Sequence, residues 1–391
     1  GESDDECDRR ASEARHNHVL AGKTGFRTVP AATVSDWLDS GQCRDCFLPA
    51  FDYRPGMSAQ YMLTRKNFRL DRPVAARLGF IASSDNHKAR PGTGYKEINR
   101  SEMTESLGPR TDAPDFLGGA KDPVAHSVAL TDQSLNAFAT RDTERMSSFF
   151  TTGGLVAVHA HGRGRNAIWQ ALKRKETYGT SGDRILLWFD LLNPPDEAQA
   201  SLPMGSETVL GASPRFRVRA VGARDQKPGC PDFARQALGR ARLHALCRDE
   251  CYSPGDHRHP ITRIEVVRLR PQAFDAEPLT ELIDDPWLTL ACPPNPEGCA
   301  VEFTDPDFPG SGRDAVYYVR AIQAPSAAVN GADLRCTRDE QGNCLSVSPC
   351  YGADDLTPYE DDCLAEIEER AWSSPIWIDQ PRDRDPLAPA G

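Results

Sequence analysis

Hydrophobic and polar positions alternate with a period of two in five segments of the second half of the chain. They are RFRVRAVG (215–222), ITRIEVVRLRP (261–271), CAVEFTDPDF (299–308), AVYYVRAIQ (315–323) and SSPIWIDQ (373–380). Side chains on a strand point alternately to its two faces, so this pattern predicts half-buried strands. The links between them are rich in Pro, Gly and Cys. From about residue 183 onward this reads as an antiparallel, immunoglobulin-like β-sandwich. The tail QPRDRDPLAPAG (380–391) is expected to be extended and exposed.

The first half has a different texture. DDECDRRASEARHNHVLAG (4–22) reads as a polar helix stopped at Gly22. ATVSDWLDSG (32–41) reads as a short helix with Ser35 as N-cap and Gly41 as stop. A strand is expected over 77–83 and another over GGLVAVHAH (153–161). RNAIWQALKRKETY (165–178) has helical spacing, with Ile168, Ala171 and Leu172 on one face and Asn166 as cap. A turn, GTSGDR (179–184), then leads into the strand RILLWFDLL. A strand, helix, strand order with short links predicts a βαβ-type layer. Residues 88–150, polar and rich in Gly, Pro and Asp, read as a long loop-rich excursion. The expected class is α/β plus all-β, with domains at 1–182 and 183–391.

Composition narrows the function classes. The 391 residues carry a net charge of −11 without a long basic stripe, which disfavours nucleic acid and anionic membranes as partners. No apolar run reaches the roughly 18–20 residues of a membrane-spanning helix. The 30 Gly and 31 Pro point to a loop-rich globular protein. The 12 cysteines favour disulfides and an oxidising compartment, periplasmic or extracellular. Cys292/Cys299, Cys336/Cys344 and Cys350/Cys363 could each close a short loop. The lone C-x-x-C, Cys43 to Cys46, sits in a Pro-bounded loop and reads as structural rather than redox-active. The chain begins at Gly1 rather than Met, so a leader would have been removed from an exported protein.

Three constellations could carry chemistry. In LGFIASSDNH (78–87), an apolar run ends in Asp85 and His87. A carboxylate and an imidazole two residues apart suit a hydrolytic metal, and equally an Asx-capped turn. His159 and His161 form an H-x-H on an expected strand, where i and i+2 share a face and both rings could reach one ion. The alternative is an exposed strand end. Arg184, beside the Thr-Ser turn of GTSGDR, could steady an oxyanion, or the turn could simply be tight. His16 and His18, on an expected helix, point about 200° apart and cannot easily chelate. His126, His257 and His259 lie in expected loops and receive no role.

Taken in order, several stretches are more specific than any one motif. They are CRDCFLPAFDYRPGMSAQYML, RLGFIASSDNH, GGLVAVHAHGRGRNAIWQALKRKETYGTSGDRILLWFDLL, PGCPDFARQALGRARLHALCRDECY, ITRIEVVRLRPQ, GRDAVYYVRAIQ and ERAWSSPIWID. Together they resemble the domain-of-unknown-function family numbered 3604. That family is in turn similar to the polymerase-and-histidinol-phosphatase (PHP) superfamily of metal-dependent hydrolases. The resemblance implies that residues 1–182 are the C-terminal part of a distorted, TIM-like β/α barrel. It implies that Asp85 and His87 are the last ligand pair of a di- or trinuclear Zn, Mn or Fe site. Such metals lower the pKa of bound water and polarise an ester oxygen. His159 and His161 match no named ligand of that superfamily. Its first H-x-H and the following His and Glu residues are not in this chain. The N-terminal part of the same precursor, cleaved or separate, would therefore have to supply them.

Two functions are expected from different classes. One is a secreted or periplasmic metal-dependent hydrolase, a phosphoesterase acting on a small-molecule ester with Asp85, His87 and Arg184 at its site. The other is a non-catalytic extracellular protein whose sandwich binds a partner, a surface or a polysaccharide. Assembly into a homo-oligomer is left open.

Overall fold

The period-two segments fold as ladder strands of two largely antiparallel sheets. In the computed structural model, the described residues are 3–10, 58–70, 73–83, 96, 154–329, 340 and 364–381, with the backbone alone at 38–39, 52–53, 328–329, 334–338, 344–349 and 364–365. Twelve strands build the two main sheets: β1 (Leu155–Val158), β2 (Thr177–Thr180), β3 (Leu186–Leu191), β4 (Leu202–Pro203), β5 (Glu207–Val209), β6 (Arg215–Val221), β7 (Ile261–Leu269), β8 (Ile283–Ala291), β9 (Cys299–Thr304), β10 (Ala315–Gln323), β11 (Arg370–Ser373) and β12 (Ile376–Asp379). Three helices matter below: α1 (Arg165–Lys173), α2 (Asp232–Leu238) and α3 (Arg240–Cys247).

The smaller sheet has the order β9-β6-β3-β4 and the larger the order β8-β7-β10-β11-β2-β1. Strand β10 has two partners along one side. Its start pairs with β12, Val316 opposite Trp377. Its far half pairs with β11, Ala321 opposite Ala371. Beyond that split, β11 continues antiparallel to β2, and β12 lies parallel to β5.

The inner faces of the two sheets meet in one apolar core. Phe189, Phe216 and Phe303, from β3, β6 and β9, pack on one another with ring centroids 5.0–6.4 Å apart. Tyr317 of the larger sheet reaches across to Phe216 at 4.8 Å, and Trp287 approaches Phe303 at 6.1 Å. Aromatic pairs at these separations contribute beyond their buried area. Strand β6 shows why the pattern was readable: Phe216, Val218 and Ala220 are fully buried, and the arginines between them are exposed.

Four expectations are corrected. The βαβ layer is absent. Strand β1 returns antiparallel beside β2, Leu155 opposite Thr180, with α1 in the connection. A β/α barrel needs parallel neighbours, and the described residues form no closed barrel. Helix α1 stops at Lys173 rather than running to Tyr178, because Lys175 adopts a left-handed φ of 61° and 177–180 becomes a strand. Its N-cap is Gly164 without a side-chain bond, not Asn166. Within the expected second helix, Leu38–Asp39 is extended and pairs with Asp52–Tyr53.

The fourth correction concerns 77–83, which joins no ladder. The Phe80 N–H donates to Ser374 Oγ, and Thr177 Oγ1 donates to the Phe80 carbonyl, each at 2.8 Å. Two side-chain hydroxyls thus satisfy backbone groups that a neighbouring strand would otherwise serve. Close approach depends on Gly179: a Cβ there would sit 2.7 Å from Ala82 Cβ.

Two disulfides occur among the described residues. Cys292–Cys299 is the expected short loop, and it links the end of β8 in one sheet to the start of β9 in the other. Cys230–Cys251 was not anticipated. Cys43, Cys46, Cys350 and Cys363 lie outside the described residues, as do the side chains of Cys336 and Cys344. Of the helix expected over 4–22, residues 4–10 are described and are helical. No helix among the described residues is long and apolar enough to cross a membrane.

Candidate functional site

Strand β1 ends at Val158, so His159 and His161 lie just past its end rather than on one strand face. The last ladder contact there is the His159 N–H donating to the Glu176 carbonyl at 2.9 Å. The His159 ring lies between Tyr178 and Trp188, with centroids 5.5 and 5.7 Å away. Its Nε2 is 2.8 Å from the Leu187 carbonyl oxygen. A carbonyl only accepts, so Nε2 is the donor, and in the neutral form of the ring Nδ1 would be the nitrogen left to accept or ligate. Metal-ligating histidines are oriented in this way, with the second ring nitrogen donating to a backbone carbonyl.

These residues open onto a cleft of about 400 Å³ lined by His159, His161, Glu176, Trp188 and Asp190 among others. Asp190 comes from β3, where it stands opposite Arg217 of β6. Partial burial pushes its carboxyl above the ordinary range, against the opposing pull of Arg219, His159 and Arg217. Arg217 is engaged by Glu302 at 2.7 and 2.9 Å. The Arg219 guanidinium lies over the Trp188 ring at 4.9 Å. The cleft thus offers two imidazoles, the Asp190 carboxylate and an aromatic wall, while the Glu176 carboxylate is engaged by the Arg174 guanidinium at 2.8 and 2.9 Å. Among the described residues, no three of these groups bring ligand atoms close enough to share one ion. The cleft therefore fits part of a metal site, not a whole one.

Arg184 and its turn lie elsewhere. The Arg184 guanidinium stacks on Tyr252 at 3.9 Å. The backbone donors of the turn are engaged: Ser181 N–H with the Arg370 carbonyl, Gly182 N–H with Thr180 Oγ1, and Ile185 N–H with the Asp183 carbonyl. Its surroundings are acidic as well. Asp183 accepts from Gln323 Nε2 at 2.6 Å, and Ser181 Oγ donates to the buried Glu369. Burial, with Asp183 nearby, pushes Glu369 up to about 7, and burial also raises Asp183. This turn is built around carboxylates, and its Ser181, Gly182 and Ile185 N–H groups are engaged within the protein.

Asp85 and His87 lie outside the described residues. The chain that leads to them can be followed as far as 83. Phe80 lies by Thr177 and Ala82 by Gly179, so the segment runs along β2 toward Thr180. His159 and Glu176 sit at the opposite end of that strand. Glu176, Trp188 and Asp190 were missed from sequence. Trp188 and Asp190 are the polar-face positions of the strand LLWFDL, an i, i+2 signal that was available.

Residues 73–225 match the family described as "Protein of unknown function (DUF3604)". The match spans less than half of the 391-residue chain, and it includes Asp85, His87, the cleft and Arg184. No curated protein and no solved structure matches the chain.

Proposed function

We propose that the protein is a metal-dependent hydrolase of small anionic esters, phosphoesters in the first instance, working at the cleft beside His159. The observation that carries this reading is the convergence of His159, His161, Glu176 and Asp190 on one open cleft, with His159 Nε2 directed at a backbone carbonyl. A divalent Zn, Mn or Fe ion would be held by at most two of these cleft groups together with ligands from outside the described residues, and would supply an acidified water. The resemblance to PHP enzymes names Asp85 and His87 as a further ligand pair. The remaining parts belong to this chain's own chemistry. Asp190 holds a proton more readily than a surface carboxylate and suits general acid–base work. Arg219, over Trp188 at the rim, suits orientation of an anionic group.

The test combines elemental analysis of the native protein with hydrolysis of p-nitrophenyl phosphate, its diester and p-nitrophenyl acetate. Activity should depend on bound metal. It should fall about 100-fold or more in Asp190→Asn and in His161→Ala, as expected when an acid–base or ligand group is removed. Asp85→Ala tests the ligand pair that the resemblance names. Metal-free protein, or full activity in all three variants, would sink the assignment.

A non-catalytic binding role has one observation in its favour. Helix α1 and the edge strand β1 leave Trp169, Val156, Leu172 and Ile168 exposed on the surface. Apolar surface of this kind is common at docking sites. The two disulfides are compatible with an extracellular setting under either reading.

A further inference from the structure

Three sulfurs converge at the end of the α2–α3 helical hairpin. Cys230 lies just before α2, Cys247 is the last residue of α3, and Cys251 follows four residues later. Arg248 and Asp249 both take left-handed conformations, with φ of 48° and 65°. This tight reversal carries Cys251 back over the end of α3. The three Sγ atoms all lie within 4.8 Å of one another. Cys230 and Cys251 are bonded, and the Cys247 thiol lies 3.7 Å from Cys230 Sγ. Leu243 and Ala234 pack around the group, and Cys230 and Cys247 are buried.

A structural disulfide uses two sulfurs. The third is a buried thiol in contact with the bond, where it could attack and reshuffle it. A tetrahedral thiolate site explains all three. With metal–sulfur bonds of about 2.3 Å, ligand sulfurs stand roughly 3.8 Å apart, the separation seen between Cys230 and Cys247. The frame around the sulfurs also stands without the disulfide. The Glu250 carboxylate accepts from the Gly229 N–H at 2.7 Å and from Lys96 Nζ at 2.7 Å, and Lys96 also reaches the Gly229 carbonyl at 2.9 Å. Residues 229 and 250, each next to a bonded cysteine, are thus clamped together independently of the sulfur–sulfur bond.

We propose that Cys230, Cys247 and Cys251, when reduced, bind one thiophilic divalent ion of the zinc type, with the disulfide and the metal as alternative occupants of the same pocket. Conversion to the metal form begins with a dithiol reductant. Two electrons and two protons pass to the Cys230–Cys251 bond, which becomes two thiols, and the reductant becomes its own disulfide. Metal binding then releases the protons of the three thiols to solvent. The fourth position of the ion is left to water.

The test uses the full chain, oxidised and dithiol-reduced, titrated with cobalt(II) alone and followed by thiolate-to-cobalt charge-transfer absorption. The reduced protein should take up one cobalt ion per chain with that band, and zinc should displace it. The oxidised protein should show neither. Cys247→Ser keeps the disulfide pair, yet it should weaken binding by roughly 100-fold or more, since loss of even an outer-shell partner costs up to that much. Cys43→Ser/Cys46→Ser should leave binding unchanged. A second readout needs no variant: zinc should protect Cys230, Cys247 and Cys251 from alkylation, mapped by mass spectrometry. Absence of the band in fully reduced protein, a band that survives Cys247→Ser, or equal labelling with and without zinc would each overturn the proposal. So would a native fold in which the dithiol cannot open the Cys230–Cys251 bond.

Discussion

Tyr317 donates its hydroxyl to the Asp305 carboxylate at 2.7 Å, between the two sheets, where Asp305 is 1% exposed. Arg268 reaches the same carboxylate oxygen at 2.9 Å. Burial and the adjacent anion push the Tyr317 phenol well above its usual range. A buried charge is tolerable only when its lone pairs are met. Tyr317→Phe removes one donor while keeping the ring against Phe216. Denaturant unfolding should show a loss of about 1–3 kcal/mol. Asp305→Ala should cost more, because it strands both the hydroxyl and part of the guanidinium. Equal stability of Tyr317→Phe and wild type would mean the bond contributes nothing net.

The Glu369–Asp183 pair sets a pH dependence of definite sign. Glu369 titrates near 7 in the folded state against 4.5 as an ordinary carboxyl, and Asp183 is shifted in the same direction. The folded state therefore holds protons that the unfolded chain has already lost. This stabilisation is complete below about pH 4.5 and is lost as pH rises through about 7. For Glu369 the shift corresponds to on the order of 3 kcal/mol, and Asp183, which titrates with it, acts in the same direction. Glu369→Gln can still accept from Ser181 and cannot ionise. Unfolding free energies measured between pH 5 and 8 should fall with pH in the wild type and stay flatter in the variant. Parallel profiles would contradict this.

Gly179 fixes the approach of residues 78–83 to β2. A methyl group there would meet Ala82 Cβ at 2.7 Å and the Ala82 nitrogen at 3.0 Å. Gly179→Ala should push that segment off Thr177 and Ser374 and cost about 1–3 kcal/mol, the usual range for an overpacked contact. Limited proteolysis should then cut near residues 78–83, and β1 should keep its pairing with β2. An unchanged digestion pattern would show that the segment is held by something other than this contact.

What the sequence made legible follows from what each signal encodes. Alternation reports which face of a strand is buried, so β6, β7, β9, β10 and β12 stood out. It does not report strand direction. Strand–helix–strand spacing at 155–180 suits a parallel crossover and an antiparallel return equally, and only pairing to β11, nearly 200 residues later, decides between them. The run at 77–83 looked like a strand because apolar residues pack there, but side-chain hydroxyls rather than a ladder take its backbone bonds. Of the candidate site, the two histidines were readable as a pair. Their cleft partners, Glu176 just before β2 and Trp188 and Asp190 on β3, are joined to them only by folding. Cys230, Cys247 and Cys251 have an irregular spacing, and two left-handed residues close the gap.

The position of β11 has a consequence for how the chain is made. Among the described residues, strands β1 and β2 join the larger sheet only through β11, and Arg77 is held by Asp379 at 2.7 Å. Synthesis delivers residues 155–180 almost 200 residues before their neighbour. During that interval on the ribosome the hairpin has one open flank, and Tyr178 and Thr180 wait for partners that have not yet been translated. Such long-range closure is slow and leaves strand edges exposed to other chains. The last strands to emerge therefore act as the bolt that commits the earliest ones. A nascent chain halted before residue 370 should engage holdase chaperones in a way that the completed chain does not.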